Sequence, residues 1–558
     1  MTHEYAERRS GPEPSLPTPG GRSGHDVAVT TQSPSGATDI SSAPDVDAST
    51  DRHSRPAGAA VAGAPTGAPS LRRTDIDPGA SPVRQGLRVV ILGGGPGGYE
   101  AALVAAQLGA RTQLIEARGI GGSAVLTDVV PSKTLIATAE WLTTTEQAHE
   151  LGITVGDGEQ VAHVDLGAVN GRVRHLADEQ SSDLTTRMAE KGIEVIDGRG
   201  RLGTLDAEGV RTVHVTGDHG SEHGAERELL ADVVLVSTGA RPRVLPGAAP
   251  DGRRILTWTQ LYDLDELPEH LVVVGSGVTG AEFAGAYLAL GSRVTLVSSR
   301  DRVLPTVDAD AATLVEEGFR RRGMEVLSGA RARAARVVEE GTDDEHVEVT
   351  RADGRVVTGS HCLMAVGAVP ATDGIGLTEA GVGLTESGHV RVDRVSRTTA
   401  YRVYAAGDCT GVLPLASVAA MQGRIAMRHA LGDAVAPLAV ETVAQAVFTV
   451  PEIASIGITE AEAATGEYDA VSTTVPLARN PRAKMLGLNE GFIKLFSQRR
   501  TGEVLGGVVV GTRASEQILA VTLAVTHRLT VEQVMNAFSV YPSLSGTLTE
   551  AARQLHVR

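Results

Sequence analysis

Cysteine is nearly absent from the 558-residue chain: Cys362 and Cys409 are its only two. They stand far apart and in no metal-ligand spacing. This argues against a disulfide framework and a thiolate zinc site, predicts no bound metal, and points to a reducing, cytoplasmic setting. Lysine is almost as scarce. Lys133, Lys191, Lys484 and Lys494 are the four present, and arginine supplies the rest of the 51 basic residues. No apolar run approaches the roughly 18 uninterrupted residues that mark a membrane-spanning helix, so no transmembrane segment is predicted. Positive charge is not in excess either. A net charge of −17 disfavours nucleic acid as a partner, because such binding needs Lys and Arg to neutralise phosphates.

What the chain does have is 42% hydrophobic and 21% charged residues, the balance of a globular protein, over a length that requires several domains. Residues 1 to 86 are the exception. They are crowded with Gly, Pro, Ser, Thr, Ala and Asp, show no apolar period and hold no hydrophobic signal core, so the segment is expected to be disordered. Two other readings of it stay open. One is a regulatory or targeting tail. The other is a stretch ahead of a true start near Val83 or Leu87, which would need a non-ATG codon because the next methionine after Met1 is Met188.

From Leu87 the character changes. Leu87 to Leu92 reads as a buried parallel strand running into Gly93-Gly94-Gly95-Pro96-Gly97-Gly98. A helix is expected from Tyr99 to Leu108, stopped by Gly109, and a second strand from Arg111 to Glu116 ends on an acid about 20 residues past the glycines. The unit then recurs. Leu271 to Val274 leads into Gly275-Ser276-Gly277-Val278-Thr279-Gly280, a helix runs to Leu290, Gly291 stops it, and a strand spans Arg293 to Ser298. In such a loop the first glycine (Gly93, Gly275) permits a tight turn, the second (Gly95, Gly277) lets backbone approach a pyrophosphate, and the third (Gly98, Gly280) lets helix and strand pack closely. The helix N-terminus then faces the phosphates. One such loop is weak evidence, whereas two in full strand-turn-helix-strand context predict two dinucleotide sites. An acid closing the second strand binds a ribose 2′-hydroxyl and repels a 2′-phosphate, so Glu116 suits the adenosine of FAD. Ser298 stands at the equivalent place in the second unit with Arg300 and Arg302 near, which favours acceptance of NADPH, with NADH also plausible. Solvated surface charge remains the alternative for the two arginines. From about Val443 no glycine fingerprint appears, and strand patterns followed by a helix-like stretch, Ser515 to Arg528, suggest a separate α+β domain.

Further motifs complete a pattern. Ser237-Thr238-Gly239, Tyr404-Ala405-Ala406-Gly407-Asp408 and Phe448-Thr449-Val450-Pro451-Glu452, added to both loops, resemble the class I flavoprotein pyridine-nucleotide disulfide oxidoreductases, which include lipoamide dehydrogenase. The likeness runs from about Leu87 to the end. It implies an α/β fold with two Rossmann-like dinucleotide-binding domains and a C-terminal α+β dimerisation domain. The first, for FAD, spans 87–240 and resumes over 371–438. The second, for NAD(P), spans 241–370, and the dimerisation domain spans 439–558. The resemblance further implies FAD contacts from Gly200, Thr238, Gly239, Asp408 (at the ribitol) and Leu415-Ala416-Ser417, nucleotide contacts from Ser298, Arg300 and Gly367, and a homodimer. Lys133, closing Pro131-Ser132-Lys133, would pair with Glu282 beside the flavin N5.

Departures from the family pattern carry the functional expectation. Its redox segment, GGTCxxxGCxPSK, reads Gly121-Gly122-Ser123-Ala124-Val125-Leu126-Thr127-Asp128-Val129-Val130-Pro131-Ser132-Lys133 here, so Ala124 and Val129 fill both cysteine positions. The HPTxxE that supplies a His-Glu pair across the dimer reads Tyr541-Pro542-Ser543-Leu544-Ser545-Gly546, and Gly367-Ala368-Val369-Pro370 replaces Gly-Arg-x-Pro. Disulfide reduction needs the missing parts, so another acceptor is expected. The chain is similar to a cysteine-less NAD(P)H:quinone reductase branch of the family known from actinobacteria. That likeness implies a quinone acceptor, with Tyr541 against it. A transhydrogenase between nicotinamides and a flavin-bearing scaffold without catalysis are the rival readings.

Overall fold

This computed structural model describes residues 86–556, except 147, 149–150, 154–163 and 218–226. The N-terminal extension expected to be disordered lies outside the described residues.

Two strands without polar alternation organise the fold. Arg88–Leu92 and His270–Val274 are buried on both faces, as central strands of parallel sheets must be. The first sheet runs in the order Val403–Ala405, Val233–Val236, Arg88–Leu92, Arg111–Glu116, Glu194–Asp197, with every pair parallel. The second runs Glu325–Leu327, Arg293–Val297, His270–Val274, His361–Met364, Ile255–Leu256, again all parallel. In each, a helix crosses from the central strand to its neighbour: Pro96–Gln107 in the first, Val278–Leu290 in the second. The first of these begins three residues earlier than the apolar pattern indicates. Pro96 pre-sets the helical angle at its first turn, and the following glycines form that turn instead of preceding it. Gly291, with φ +112°, caps the second helix as expected.

The whole second sheet lies in sequence between two strands of the first, Val233–Val236 and Val403–Ala405. The two crossings are pinned together by antiparallel pairing of Ala240–Pro242 with Ala368–Pro370. A small antiparallel sheet accompanies each unit, Arg199–Leu205 with Arg211–Thr216 and Arg227–Ala231 in one, Ala332–Val338 with His346–Arg351 and Val356–Gly359 in the other.

The C-terminal segment forms a five-stranded antiparallel sheet in the order Gln445–Val447, Glu452–Gly457, Val504–Gly511, Phe492–Gln498, Ala470–Pro476. Its three inner strands, Glu452–Gly457, Val504–Gly511 and Phe492–Gln498, are buried on both faces for different reasons. Ile493, Leu495 and Val509 pack under helices Ala514–Thr526 and Gly546–Leu555, while Phe492, Phe496 and Val508 join a core with Phe283, Tyr287 and Phe319 of the second dinucleotide unit. Lys494 alternates onto that second face and is 2% exposed. Burial alone would strip its charge, but Asp308 at 2.9 Å, Asp310 at 2.8 Å and Glu460 at 3.1 Å raise its pKa and keep it an ammonium. Among the described residues no helix is long and apolar enough to cross a membrane.

Candidate active site

Each fingerprint loop separates glycines the fold needs from a glycine it leaves open. Gly93 has φ +100°, and a Cβ there would fall 2.2 Å from the Ser237 carbonyl oxygen; one on Gly98 would fall 1.9 Å from Gly93 O. A Cβ on Gly95 would meet nothing within 4 Å. The second loop repeats this with Gly275 against Ala365 O, Gly280 against Gly275 O, and Gly277 open. Helices Pro96–Gln107 and Val278–Leu290 start at these open glycines with no side-chain cap and no acid in the first turn. Helix Ala416–Leu431, which starts after Leu415 and carries Ala416 and Ser417 in its first turn, is uncapped in the same way. By contrast Asp165, Asp308 and Thr530 cap helices Leu166–Glu190, Ala309–Arg321 and Val531–Asn536. Free N–H groups beside open space are what a pyrophosphate requires.

Around the first loop, Glu116 accepts from the backbone N–H groups of Gly94 at 2.6 Å and of Ala117 and Arg118 at 2.8 Å each, so its carboxylate holds the end of the second strand against the glycine turn. Helices Pro96–Gln107 and Ala416–Leu431 cross in contact because Gly423 has no Cβ, which would lie 2.1 Å from Gly97 O. The turn before the second of these is tied by Gln422, which accepts from Gly407 N at 2.8 Å. Burial raises the pKa of Asp408 on that turn, and among the described residues its carboxylate makes no side-chain hydrogen bond. Thr238 and Gly239 follow the inner strand Val233–Val236, Gly239 with φ +68° and open space around it. Gly200 packs against Leu92 and Ile115, a reason for glycine that lies within the fold. The uncapped helix ends, the open glycines and the unpartnered Asp408 together fit an FAD.

The second loop is built differently where the acid would stand. Ser298 is fully buried, 2.7 Å from Ser276 Oγ, donates to Arg300 O at 3.0 Å and accepts from Arg300 N at 3.1 Å. The Arg300 side chain is exposed and, among the described residues, makes no ion pair. Arg302 donates to the carbonyls of Pro305 and Val307. Gly367, φ +90° and open, takes Arg243 N on its carbonyl at 2.9 Å.

Lys133 and Glu282 meet. Lys133 Nζ lies 2.6 Å from Glu282 Oε2, and Glu282 Oε1 accepts from Phe448 N at 2.8 Å, so a carboxylate only 3% exposed is satisfied on both oxygens. The ammonium also stands 4.8 Å from the Phe448 ring centre. Helix Val129–Glu146, helix Val278–Leu290 and the start of the C-terminal sheet therefore converge on one charge pair, and a cavity lined by Lys133, Ile136, Phe448, Glu452 and Arg513 opens beside it.

No thiol is present there. Ala124 lies in the short helix Gly122–Leu126, and Val129 opens the next one. Cys362 and Cys409 are fully buried core residues, and burial pushes their thiols up to about 12 and about 11. Tyr541 is not brought to the pair within this chain. It is 83% exposed, near the equally exposed Phe538 and Val540. Two residues of the site went unread in the sequence. Ser276 matters through its contact with Ser298, and Asp128, between the two former cysteine positions, takes the Trp258 indole N–H. An acid one residue ahead of Val129 was the available signal.

Residues 87–423 match the family model described as pyridine nucleotide-disulphide oxidoreductase, and residues 443–552 match that family's dimerisation domain. An NAD(P)H dehydrogenase (quinone) of Mycobacterium tuberculosis is 52% identical over 471 residues, 84% of this chain and 94% of the relative. A dihydrolipoyl dehydrogenase of Chlorobaculum tepidum is 34% identical over 464 residues, 83% and 96%. The crystal structure of LpdA from M. tuberculosis superposes with a TM-score of 0.79 at 50% identity, covering 84% of this chain and 100% of that one. The chain belongs to the pyridine nucleotide-disulphide oxidoreductase family.

Proposed function

We propose that this protein is an FAD-dependent NAD(P)H:quinone oxidoreductase that works without a redox disulfide. The observation that carries the reading is the Lys133–Glu282 pair, kept intact beside two uncapped dinucleotide loops while both thiol positions are apolar. The donor half of the machinery is retained and the disulfide half is gone. The 52% identical relative named NAD(P)H dehydrogenase (quinone) supports the same acceptor class.

In this reading Gly93, Gly95 and Gly98 hold the FAD pyrophosphate, Glu116 its ribose and Asp408 its ribitol, with Thr238, Gly239, Gly200 and Leu415-Ala416-Ser417 along its length. Bound there, FAD supplies the two-electron carrier between nicotinamide and acceptor. Gly275, Gly277 and Gly280 hold the second nucleotide, for which Ser298 and the unpaired Arg300 favour NADPH, and Gly367 borders it. Lys133 and Glu282 fix charge beside the reacting ring. The domain limits follow: 87–240 with 371–438 for FAD, 241–370 for NAD(P), and 439–558 for dimerisation. The dimerisation match, together with exposed Leu519, Leu523, Phe538, Val540 and Tyr541, supports a homodimer in which Tyr541 reaches the partner's acceptor face. A reducing compartment suits two free thiols.

Anaerobic stopped-flow mixing of the NADPH-reduced protein with a naphthoquinone, NAD⁺, lipoamide and glutathione disulfide tests the assignment. Quinone is expected to reoxidise the flavin fastest and the disulfides not at all. Faster reoxidation by NAD⁺ would make the protein a transhydrogenase, and failure of NADPH to bleach the flavin would make it a scaffold.

A further inference from the structure

We propose that Asp128 is the acid that delivers a proton to the quinone, a role that rests on the quinone-reductase reading above. The overall reaction is NAD(P)H + quinone + H⁺ → NAD(P)⁺ + hydroquinone. The nicotinamide supplies two electrons and one proton as a hydride equivalent, which leaves one carbonyl oxygen of the quinone in need of a second proton. The Asp128 O–H bond breaks as the hydroquinone O–H bond forms, and water returns the proton to the carboxylate. Lys133 is committed to Glu282 and is not free to serve.

The local fold explains why this carboxylate is available. Asp128 directly precedes helix Val129–Glu146, the position from which an Asp side chain ordinarily caps the N–H two or three residues on. Here the third helical residue is Pro131, which has no N–H. The Asp128 backbone still anchors the turn, donating to Ser123 O at 2.7 Å and accepting from Ser132 N at 2.9 Å. Its side chain turns instead to the indole of Trp258, 130 residues away and 8% exposed, with the Ser123 hydroxyl alongside. The indole N–H is donor-only and takes Oδ1, so Oδ2 remains to carry a proton.

The surroundings tune the group. Burial raises its pKa to about 6 and the Asp408 carboxylate pushes the same way, while hydrogen bonds from Trp258 and Ser123 and the Lys133 charge oppose them. Tyr262, the other titratable group facing it, is buried and its pKa lies well above the ordinary phenol. Asp128 therefore exchanges its proton near neutral pH, where an acid can both give and recover one. It also stands between Ala124 and Val129 in the sequence, one residue ahead of the helix that carries Lys133, and the Lys133 and Asp408 charges both act on it.

Two tryptophans, Trp141 and Trp258, make the proton observable without turnover. In FAD-loaded, ¹⁵N-Trp-labelled protein, with Trp141→Phe assigning the signals, the Trp258 indole N–H is expected to shift with a midpoint near pH 6 and to stay fixed in Asp128→Asn. In stopped flow, naphthoquinone reoxidation of the wild type should slow as pH rises above that midpoint. Asp128→Asn, its folding verified by flavin content, should lower the ratio of reoxidation to NADPH-reduction rate constants at least tenfold and flatten the profile. Trp258→Phe, which removes a hydrogen bond to the charged form, should move the midpoint upward. A flat Trp258 signal overturns the proposal. So does wild-type behaviour of Asp128→Asn where quinone reoxidises the wild type normally, and that result leaves the acceptor reading standing. A wild type that naphthoquinone does not reoxidise overturns both together.

Discussion

Ser276 Oγ and Ser298 Oγ lie 2.7 Å apart, both buried, where in the first loop Gly94 N–H meets the Glu116 carboxylate at 2.6 Å. The two contacts are equivalents, and the one between Gly94 and Glu116 shows what the one between Ser276 and Ser298 would need to become. A Cβ on Gly94 would stand 3.2 Å from Glu116 Cγ, so a serine in the loop and an acid at the strand end crowd each other. Ser298→Glu alone should therefore cost stability and read the ribose poorly. Ser276→Gly with Ser298→Glu should shift the NADPH/NADH ratio of kcat/KM toward NADH by roughly 1–3 kcal/mol, the scale of a charged hydrogen bond. If steady-state kinetics with both nucleotides leave that ratio in place for the double variant, residue 298 does not discriminate between them.

The open glycines separate ligand binding from folding. Gly95→Ala has room for its methyl, so it should give a folded but colourless protein, with the pyrophosphate excluded. Gly277→Ala should stay yellow and lose affinity for NADPH at least tenfold, a loss of about 1.4 kcal/mol or more. Gly98→Ala would drive a methyl into Gly93 O and should fail to fold. Flavin absorbance, circular dichroism and nucleotide titration of the three variants distinguish these outcomes. A yellow Gly95→Ala would place the FAD elsewhere.

Breaking the central pair should show in stability as well as in rate. Lys133→Met leaves Glu282, 3% exposed, with only the Phe448 N–H. Removing one partner of a buried pair costs about 3–5 kcal/mol, and because Lys133 is 28% exposed the cost should fall to roughly 2–4 kcal/mol. Lys133→Met with Glu282→Gln removes the stranded charge and should recover part of it. Urea unfolding of both variants and of Glu282→Gln alone completes the cycle, and a double-variant loss equal to the sum of the two single losses would mean the pair is not coupled.

What the sequence disclosed depended on how local each signal was. The βαβ units and the absence of cysteine from Gly121–Lys133 were legible because each is written within about 30 contiguous residues. The Lys133–Glu282 contact came only through resemblance, since nothing in the spacing of residues 149 apart announces it. Asp128 escaped notice because its partner Trp258 lies 130 residues away, at the start of the short 3-10 helix Trp258–Asp263, and Ser276 because a glycine-loop pattern treats its position as free. Lys494 was noted for its rarity alone. Its three acids come from two separate segments and gather only when the C-terminal sheet packs on the second dinucleotide unit.

Asp128 should make stability depend on pH in a definite direction. Its folded pKa of about 6 lies above the ordinary carboxylate value, so the folded chain binds this proton more tightly than the unfolded one. The stabilisation it confers is complete below about pH 4 and is lost as pH rises through about 6. Asp128→Asn stays neutral throughout. The variant should therefore gain on the wild type by roughly 1–3 kcal/mol between pH 4 and pH 7.5, and the difference should level off above that. Paired thermal or urea melts across this range check it, and a difference that does not change with pH would mean the carboxylate titrates alike in both states.

Tyr541 is 83% exposed in a stretch where Phe538 and Val540 are exposed as well, an arrangement that leaves apolar surface for a second copy to cover. If it then lies on the partner's acceptor face, its ring offers an apolar wall and its hydroxyl a donor to a quinone carbonyl. Hydride transfer from NADPH does not pass that face, so the two half-reactions respond differently to its removal. Tyr541→Ala should weaken quinone reoxidation by roughly 0.5–1.5 kcal/mol in kcat/KM, the scale of one aromatic contact or neutral hydrogen bond, with reduction by NADPH much less affected. Tyr541→Phe should retain the wall and lose only the hydroxyl's share. Sedimentation must accompany the kinetics, because a dissociated dimer would slow both half-reactions alike. Loss confined to reoxidation in an intact dimer supports the cross-subunit role, and no loss in either half would put the quinone on the face that NADP⁺ leaves.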